Sequence, residues 1–346
     1  MANAPAPSLR ELARSLGLSH TTVSEALRES PRVKVETRQR VILAARAAGY
    51  RYNPLAGALM SEMRRSRTGT FRGVLAVVDF DGPDRRPATS ARYHRELIRG
   101  ASERAADIGF KAELIVMGNR GISAPRLDSI LQSRGIRGVF LLPVIESPDL
   151  SKLDWTHYAG VYADYIIERP ALHSVCSDHY RSMYIALNRL QALGYKRPGL
   201  VLQKQQDERL LFRWQAAFRS YQEHHDGFES IRPFIANEVT EENFSAWFTK
   251  NKPDVVLSHR AETIRWMEAC GASVPRTHGF CCLNVMMNAE PCAGLDLQPR
   301  LLGARGVELL IAQLHRNEYG APEIPSTTTV PGRWVDGPTL RTEPPK

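Results

Sequence analysis

Apolar positions change their spacing once along this chain. From Leu9 to Ala48 they recur at helical intervals; from Phe71 onward they gather into short runs separated by amphipathic stretches. In the first region Leu9, Leu12, Ala13 and Leu16 share one face. That predicts a helix opened by a Ser8/Glu11 capping box and closed by Gly17. Ser19 is placed to cap a second helix, with Val23, Ala26 and Leu27 facing back toward the first. A third helix is expected over Val35–Ala48, with Val35, Val41, Ile42 and Ala45 inside and Gly49 as its stop. Pro54 suits a first helical position, and Pro54–Met60 makes about two turns, too short to be stable alone in water. The charged stretch Ser61–Thr70 reads as a linker.

The second region alternates strand-like and helix-like segments. Strands are expected at 71–79, 111–117, 138–143, 158–163, 198–202, 254–257 and 277–283. Helices are expected at 92–108, 125–134, 178–193, 207–223, 240–250, 261–270 and 300–315. Such alternation argues for parallel sheets with helices on both faces. Two similar halves would leave a cleft, and open α/β sheets bind ligands beyond the carboxyl ends of their strands.

Charge sharpens the division. Of the formal net charge of +9, the stretch up to Arg67 carries +7, from twelve Lys/Arg against five acids. A basic excess confined to the helical region is the footprint of a phosphate-binding module. The N-terminus lacks the basic and apolar regions of a secretory signal, and no apolar run reaches the roughly 20 residues that span a bilayer. A cytoplasmic, nucleoid-associated location without membrane contact is expected. Five cysteines, an odd number, fit free thiols in a reducing compartment.

Two short helices joined by a glycine-containing turn form a helix-turn-helix, whose second helix enters the major groove of DNA. Its exposed residues here are His20, Thr21, Thr22, Ser24 and Glu25. His20 and Thr21 can reach bases, and Ser19, Thr22 and Ser24 suit phosphates, with Arg28 and Arg32 following. Glu25 either accepts from a cytosine amino group or is a solvated carboxylate that weakens non-specific binding; the sequence leaves both open.

The stretch resembles the DNA-binding headpiece of the lactose-repressor (LacI/GalR) family. The resemblance lies in Leu-Ala-Arg-Ser-Leu-Gly-Leu-Ser at 12–19, Thr-Val-Ser at 22–24, Glu-Thr-Arg-Gln-Arg-Val at 36–41 and Ala-Gly-Tyr-Arg-Tyr-Asn-Pro-Leu-Ala at 48–56. It implies that His20, Thr21 and Glu25 read bases. Asn53, Ala56 and Leu59 would serve a hinge helix at 53–60, with Leu59 wedged into the minor groove. The chain departs from the family pattern at Glu25 (usually Arg), Arg28 (usually Asn) and Lys34 (usually a Ser or Thr cap). Gly57 lies inside the hinge, where it costs on the order of 1 kcal/mol relative to Ala.

The remainder is similar, more loosely, to the family's periplasmic-binding-protein-like effector domain, in 135–143, 193–200, 252–258 and 303–310. The implied architecture is an all-α headpiece over residues 1–60 and an α/β domain over 71–346. The latter would hold two doubly wound parallel-sheet subdomains, about 71–172 with 299–325 and about 173–298 with 326–346. The implied partners are a palindromic double-stranded operator, a second copy of the chain and a small-molecule effector, and no cofactor.

Asp164 matches the family's effector-gripping Asp, and the candidate effector set is Phe80, Tyr93, Asp164, Arg209, His259, Arg260 and Cys281. The implied effector is a sugar or, with Arg260 and Arg209 in place of acceptors, an anionic or phosphorylated metabolite. Phe80, Tyr93 and Trp214 also suit plain packing.

Other chemistry finds little support. His278, Cys281, Cys282 and Cys292 lack the paired spacing of a zinc site. No Gly-rich phosphate loop follows a strand, and no Ser/His/acid set stands in a nucleophile context, so catalysis is not expected. Two other readings stay open: a DNA-binding protein whose cleft answers to no ligand, and a small-molecule binding protein without DNA function.

Overall fold

A computed structural model describes residues 9–27, 30, 33–48, 72–82, 86, 88–117, 122–145, 148–165 and 169–344. The expected hinge and linker, with Asn53, Ala56 and Leu59, lie outside these residues, as do Ser8, Arg28, Arg32 and Gly49. The chain divides into two compact units, Met1–Gly73 and Val74–Lys346.

In the first unit, α1 (Leu9–Leu16), α2 (His20–Leu27) and α3 (Val35–Ala47) surround a small core of Leu12, Ala13, Val23, Ala26, Val33, Val41 and Ala45. The turn after α1 is a Schellman motif. Gly17 sits at φ +64°, its N–H donates to Arg14 O (3.2 Å), and Leu18 N–H donates to Ala13 O (3.0 Å). Arg40 Nη2 ties α3 to this turn by donating to Leu16 O (2.5 Å). One expectation fails: Val35 is 61% exposed, and Val33, one turn-half earlier, fills the core instead. Lys34 caps α3 with no side-chain bond, so the chain enters the helix on the burial of Val33 alone.

The second unit has two lobes, each around a six-stranded sheet. The first sheet is β1 (Gly73–Asp79), β2 (Phe110–Val116), β3 (Gly138–Leu141), β4 (Ala159–Tyr162), β5 (His173–Asp178) and β11 (Thr327–Pro331), in the order β11-β5-β4-β3-β1-β2. The second is β6 (Pro198–Gln203), β7 (Phe234–Ala236), β8 (Val255–Ser258), β9 (Gly279–Cys282), β10 (Gly294–Asp296) and β12 (Arg333–Val335), in the order β12-β10-β9-β8-β6-β7. The orders are equivalent, so the lobes share one doubly wound topology. Pairing is parallel at β1–β3–β4–β5–β11 and at β7–β6–β8–β9–β10; β10 and β12 run antiparallel.

Burial on both faces explains the continuous apolar runs. Leu75 and Val77 join the core on one face of the first sheet, and Ala76 and Val78 the core on the other. Leu200, Leu202 and Leu257 alternate with Val201 and Val256 in the same way. In the first lobe α4 (Ala88–Asp107) packs on α11 (Pro299–Arg316). Their approach needs glycine: a Cβ on Gly100 would stand 1.8 Å from Arg300 O, and one on Gly303 2.0 Å from Leu97 O. Among the described residues no helix is long and apolar enough to cross a membrane.

Three further expectations are corrected. The lobes exchange later than expected, because β5 and β11 pair within the first sheet. Its boundaries fall near 178 and 331 instead of 172 and 325. The helix expected over 207–223 is two, α7 (Lys204–Glu208) and α8 (Arg213–His224), separated by Leu211 (φ +54°) and Phe212 (φ +58°). Asp207 stabilises the break, since its carbonyl accepts from Phe212 N (2.8 Å) and its carboxylate from Trp214 N (3.3 Å). Finally, the tail after α11 supplies one edge strand to each sheet.

Candidate functional site

Two surfaces follow from these elements. The first is α2. Ser19 Oγ accepts from Thr22 N–H (3.0 Å) and bonds Thr22 Oγ1 (2.8 Å), which satisfies an N-terminal amide of the helix. Val23 and Ala26 are buried, so the opposite face presents Thr21, exposed, with Thr22, Ser24 and Glu25 partly exposed. The His20 side chain lies outside the described set. No core contact claims Thr21 or Glu25, so both stay available to a partner.

The second surface is the cleft between the lobes of the α/β unit. An inner cavity of about 150 Å³ is lined by Tyr93, Asp164, Cys176, His179, Trp214 and His259 among others. It opens toward an outer cleft of about 690 Å³ with Asp81, Arg86, Glu208, Arg260 and Glu262 along it. Arg209, His259, His94, Ser90 and Gln206 line both. Some lining residues, such as Ser90, Tyr93 and His94, come from α4; several others follow a strand: Asp81 after β1, Pro143 after β3, Asp164 after β4, His259 after β8, Asn284 after β9. Ligands of doubly wound sheets bind at these ends.

Two ion pairs shape the cleft. Arg86 holds Asp79 through both carboxylate oxygens, Nη1 to Oδ2 at 2.9 Å, and the pair is buried. Arg209, just after α7, reaches across to Asp164 of the first lobe; Tyr165 N–H donates to the other Asp164 oxygen (2.9 Å). Burial works against the Arg209 charge, but the Asp164 carboxylate outweighs it and the guanidinium is held more firmly charged.

Rings build the floor. Trp214 is fully buried, with His179 at 4.9 Å and His259 at 5.8 Å in edge-on contact. Burial, then neighbouring Arg209, lowers His259 to about 4. Burial, then His259 and the arginines at 213 and 209, lowers His179 to about 3. Both are neutral at physiological pH. Burial also pushes the Tyr93 hydroxyl well above its ordinary range, and lowers His94, aided by Arg86. His94 is pinned by Ser90 O (3.0 Å) and Pro143 O (3.3 Å).

Of the expected effector residues, the cleft brings together Tyr93, Asp164, Arg209, His259 and Arg260. Arg260 sits at the rim, already paired with Glu262 and 6.0 Å from the Trp266 ring centroid. Two are misplaced. Phe80 packs against the core on the outer side of the first sheet, and Cys281 is wholly buried in the core under α8. Phe80 stands one position before the cleft residue Asp81, and Cys281 lies inside β9, short of the cleft residue Asn284. Sequence reasoning missed Ser177, His179, Gln206, Asn284 and Met287. The signal was available for Ser177 and Asn284, polar residues closing apolar strand runs. Among the described residues no group of three or more His, Cys, Asp or Glu could hold a metal.

A helix-turn-helix module is joined in sequence to a two-lobed α/β unit. Residues 8–53 match the model of the bacterial regulatory proteins of the lacI family. It is 45% identical over 74 residues to the HTH-type transcriptional regulator AglR of Rhizobium meliloti, covering 21% of this chain and 20% of that one. It is 24% identical over 200 residues to the sucrose operon repressor of Escherichia coli, 55% of this chain and 54% of that one. The chain thus spans about half the length, or less, of the curated relatives it matches. The structure of the transcriptional regulator CelR with cellobiose superposes with TM-score 0.57 at 19% identity, over 96% of this chain and 99% of that one. That likeness extends the fold assignment across the α/β unit.

Proposed function

We propose that this protein is a sequence-specific DNA-binding transcription regulator, acting as a homodimer on a two-fold symmetric operator, with an effector bound in the cleft between its lobes. The observation that carries the reading is α2. Its apolar side is consumed by a helix-turn-helix core, while Thr21, Ser24 and Glu25 stand clear of it on the side that meets a major groove. The 45% identity over 74 residues to AglR, an HTH-type transcriptional regulator, supports it. Arg28 and Arg32 serve as phosphate contacts, and Asn53, Ala56 and Leu59 as minor-groove contacts. These assignments rest on the family resemblance.

The cleft sets when the protein binds. A ligand changes operator affinity only by as much as it distinguishes two lobe arrangements. Asp164 and Arg209, one from each lobe, form the contact a ligand would have to reorganise. Tyr93, His259 and Trp214 are the surfaces it would touch. The relatives described as a sucrose operon repressor and a cellobiose complex support a small polar effector and, for the former, repression.

Selection of bound sequences from random DNA with the full chain tests the first half. A single enriched palindrome is the expected result. Uniform retention of all sequences, lost in proportion to added salt, would reject sequence-specific regulation.

A further inference from the structure

Among the side chains that line the inner cavity, the buried atoms left without a partner are nitrogens. Its one carboxylate, Asp164, is held by Arg209 and by Tyr165 N–H. Four of its lining side chains carry a buried nitrogen that no described protein atom partners: Arg209 Nε, Trp214 Nε1, His179 Nδ1 and His259 Nδ1. The first two can only donate. No buried oxygen of the inner lining is left unpartnered in the same way. Unmet donors in a closed site call for a ligand rich in acceptors.

A neutral sugar answers this poorly. Every hydroxyl that accepts also brings a hydrogen that must be received. Asp164, the lining carboxylate, is already engaged by Arg209, which leaves that hydrogen to the weaker amide, hydroxyl and neutral imidazole acceptors. A carboxylate ligand brings acceptors alone, and its bonds to a guanidinium are charge-assisted. The arginine offers five N–H groups, of which Asp164 takes one end, and Nε stays open to a second anion. The two neutral histidines add no positive charge of their own, so Arg209 is the anchoring cation. The rings of Trp214 and Tyr93 suit a sugar-like face, and about 150 Å³ holds a group of roughly monosaccharide size, with the outer cleft open beyond it.

We infer that the inner cavity selects a small sugar acid, a hexuronate or aldonate, whose carboxylate docks on Arg209 and Trp214 Nε1 while Asp164 tempers the charge. This rests on the cleft being the effector site.

The test is calorimetric titration of the full-length protein with D-glucuronate, D-galacturonate and D-gluconate, each against its parent hexose at constant pH and ionic strength. At least one acid is expected to bind ten times or more tighter than its parent. Arg209→Gln should erase that preference. Asp164→Asn is the sharper variant: removing the competing carboxylate should tighten acid binding several-fold, whereas a sugar-gripping Asp would make every ligand weaker on replacement. The double variant, Asp164→Asn with Arg209→Gln, leaves no buried unpaired charge and guards against misfolding; it should treat acid and hexose alike. Equal or tighter hexose binding, weaker acid binding by Asp164→Asn, or binding of none of the three acids overturns the inference. Operator binding of the same preparation, followed by fluorescence anisotropy, separates the two readings. If it persists without acid binding, only this inference falls. If acid binding persists in a protein that selects no DNA sequence, the regulator reading falls instead.

Discussion

The α2 surface and the interlobe cleft recognise partners by opposite means. On α2 the partner-facing groups stand on top of a finished core: Val23 and Ala26 hold the helix, and Thr21 and Glu25 contribute nothing to it. In the cleft the same atoms do both tasks. Asp164 and Arg209 close the lobes on each other, Trp214 is wholly buried, and His259 and His179 are kept neutral by burial. Substitutions on α2 should therefore separate binding from stability, and substitutions in the cleft should not.

The largest effect expected comes from undermining the α2 support itself. Val23 is fully buried in a core of only a few side chains. Val23→Asp places a charge there with no partner, and operator affinity should fall by roughly 100-fold or more as the headpiece unfolds. Calorimetry should show the α/β unit melting as before. A downward shift of that second transition would show that the two units do not fold independently. The matching insult in the α/β unit is Gly303→Ala, whose Cβ meets Leu97 O at 2.0 Å and Ala101 N at 2.8 Å. Overpacking against backbone should cost about 3 kcal/mol and lower that transition by roughly 6–12 °C. An unchanged melt would mean that α4 and α11 have room to part.

Acid should weaken the cleft and spare α2. His179 and His259 fall from 6.5 to about 3 and about 4, mainly through burial. Unfolding lets them take protons that the fold refuses, so their contribution is complete above pH 6.5 and is lost as pH falls toward those values. Asp207 opposes them: burial raises it to about 6, so its contribution is present below 3.8 and is lost as pH rises through 6. Two groups outweigh one, and stability of the α/β unit should drop by on the order of 3 kcal/mol between pH 7 and 4.5. His259→Gln should remove most of that slope in denaturant melts followed by Trp fluorescence. A slope equal to the parent's would mean that His259 is not the group titrating.

The two regions also differ in how much their sequence discloses. Around α1 and α2 every determinant is local: a 3.6-residue spacing, Gly17 to turn left-handed, Ser19 to cap. All three lie within a dozen residues, and only the choice between Val33 and Val35 goes astray. In the α/β unit the long runs such as Val74–Val78 and Leu200–Leu202 announce their strands. The three-residue strands at 234–236, 294–296 and 333–335 are too short to show a period. The break at Leu211–Phe212 has no Gly or Pro to mark it; Asp207 holds it by accepting from the Phe212 and Trp214 amides. Cleft membership turns on position along the strand: Asp164 lies beyond the carboxyl end of β4, and Cys281 lies within β9. Asp164 and Arg209 are each visible in the sequence as candidates; their pairing across the cleft is a property of the folded lobes.

The finest test of the comparison is Glu25, an acid displayed toward a polyanion. No hydrogen bond or ion pair to the core engages it among the described residues, so Glu25→Gln should leave the headpiece melt unchanged. Loss of one repulsive charge should raise affinity for random DNA by about two- to five-fold at low salt. The effect on the selected operator decides the role of the residue. If the carboxylate accepts from a cytosine amino group, operator affinity should fall while random-DNA affinity rises, and discrimination narrows from both sides. If it is merely solvated, both affinities rise together and the ratio is unchanged. In the first case the acid reads sequence directly. In the second it sharpens selection only by holding weak sites off, and a glutamine at 25 would give a tighter but no less selective protein.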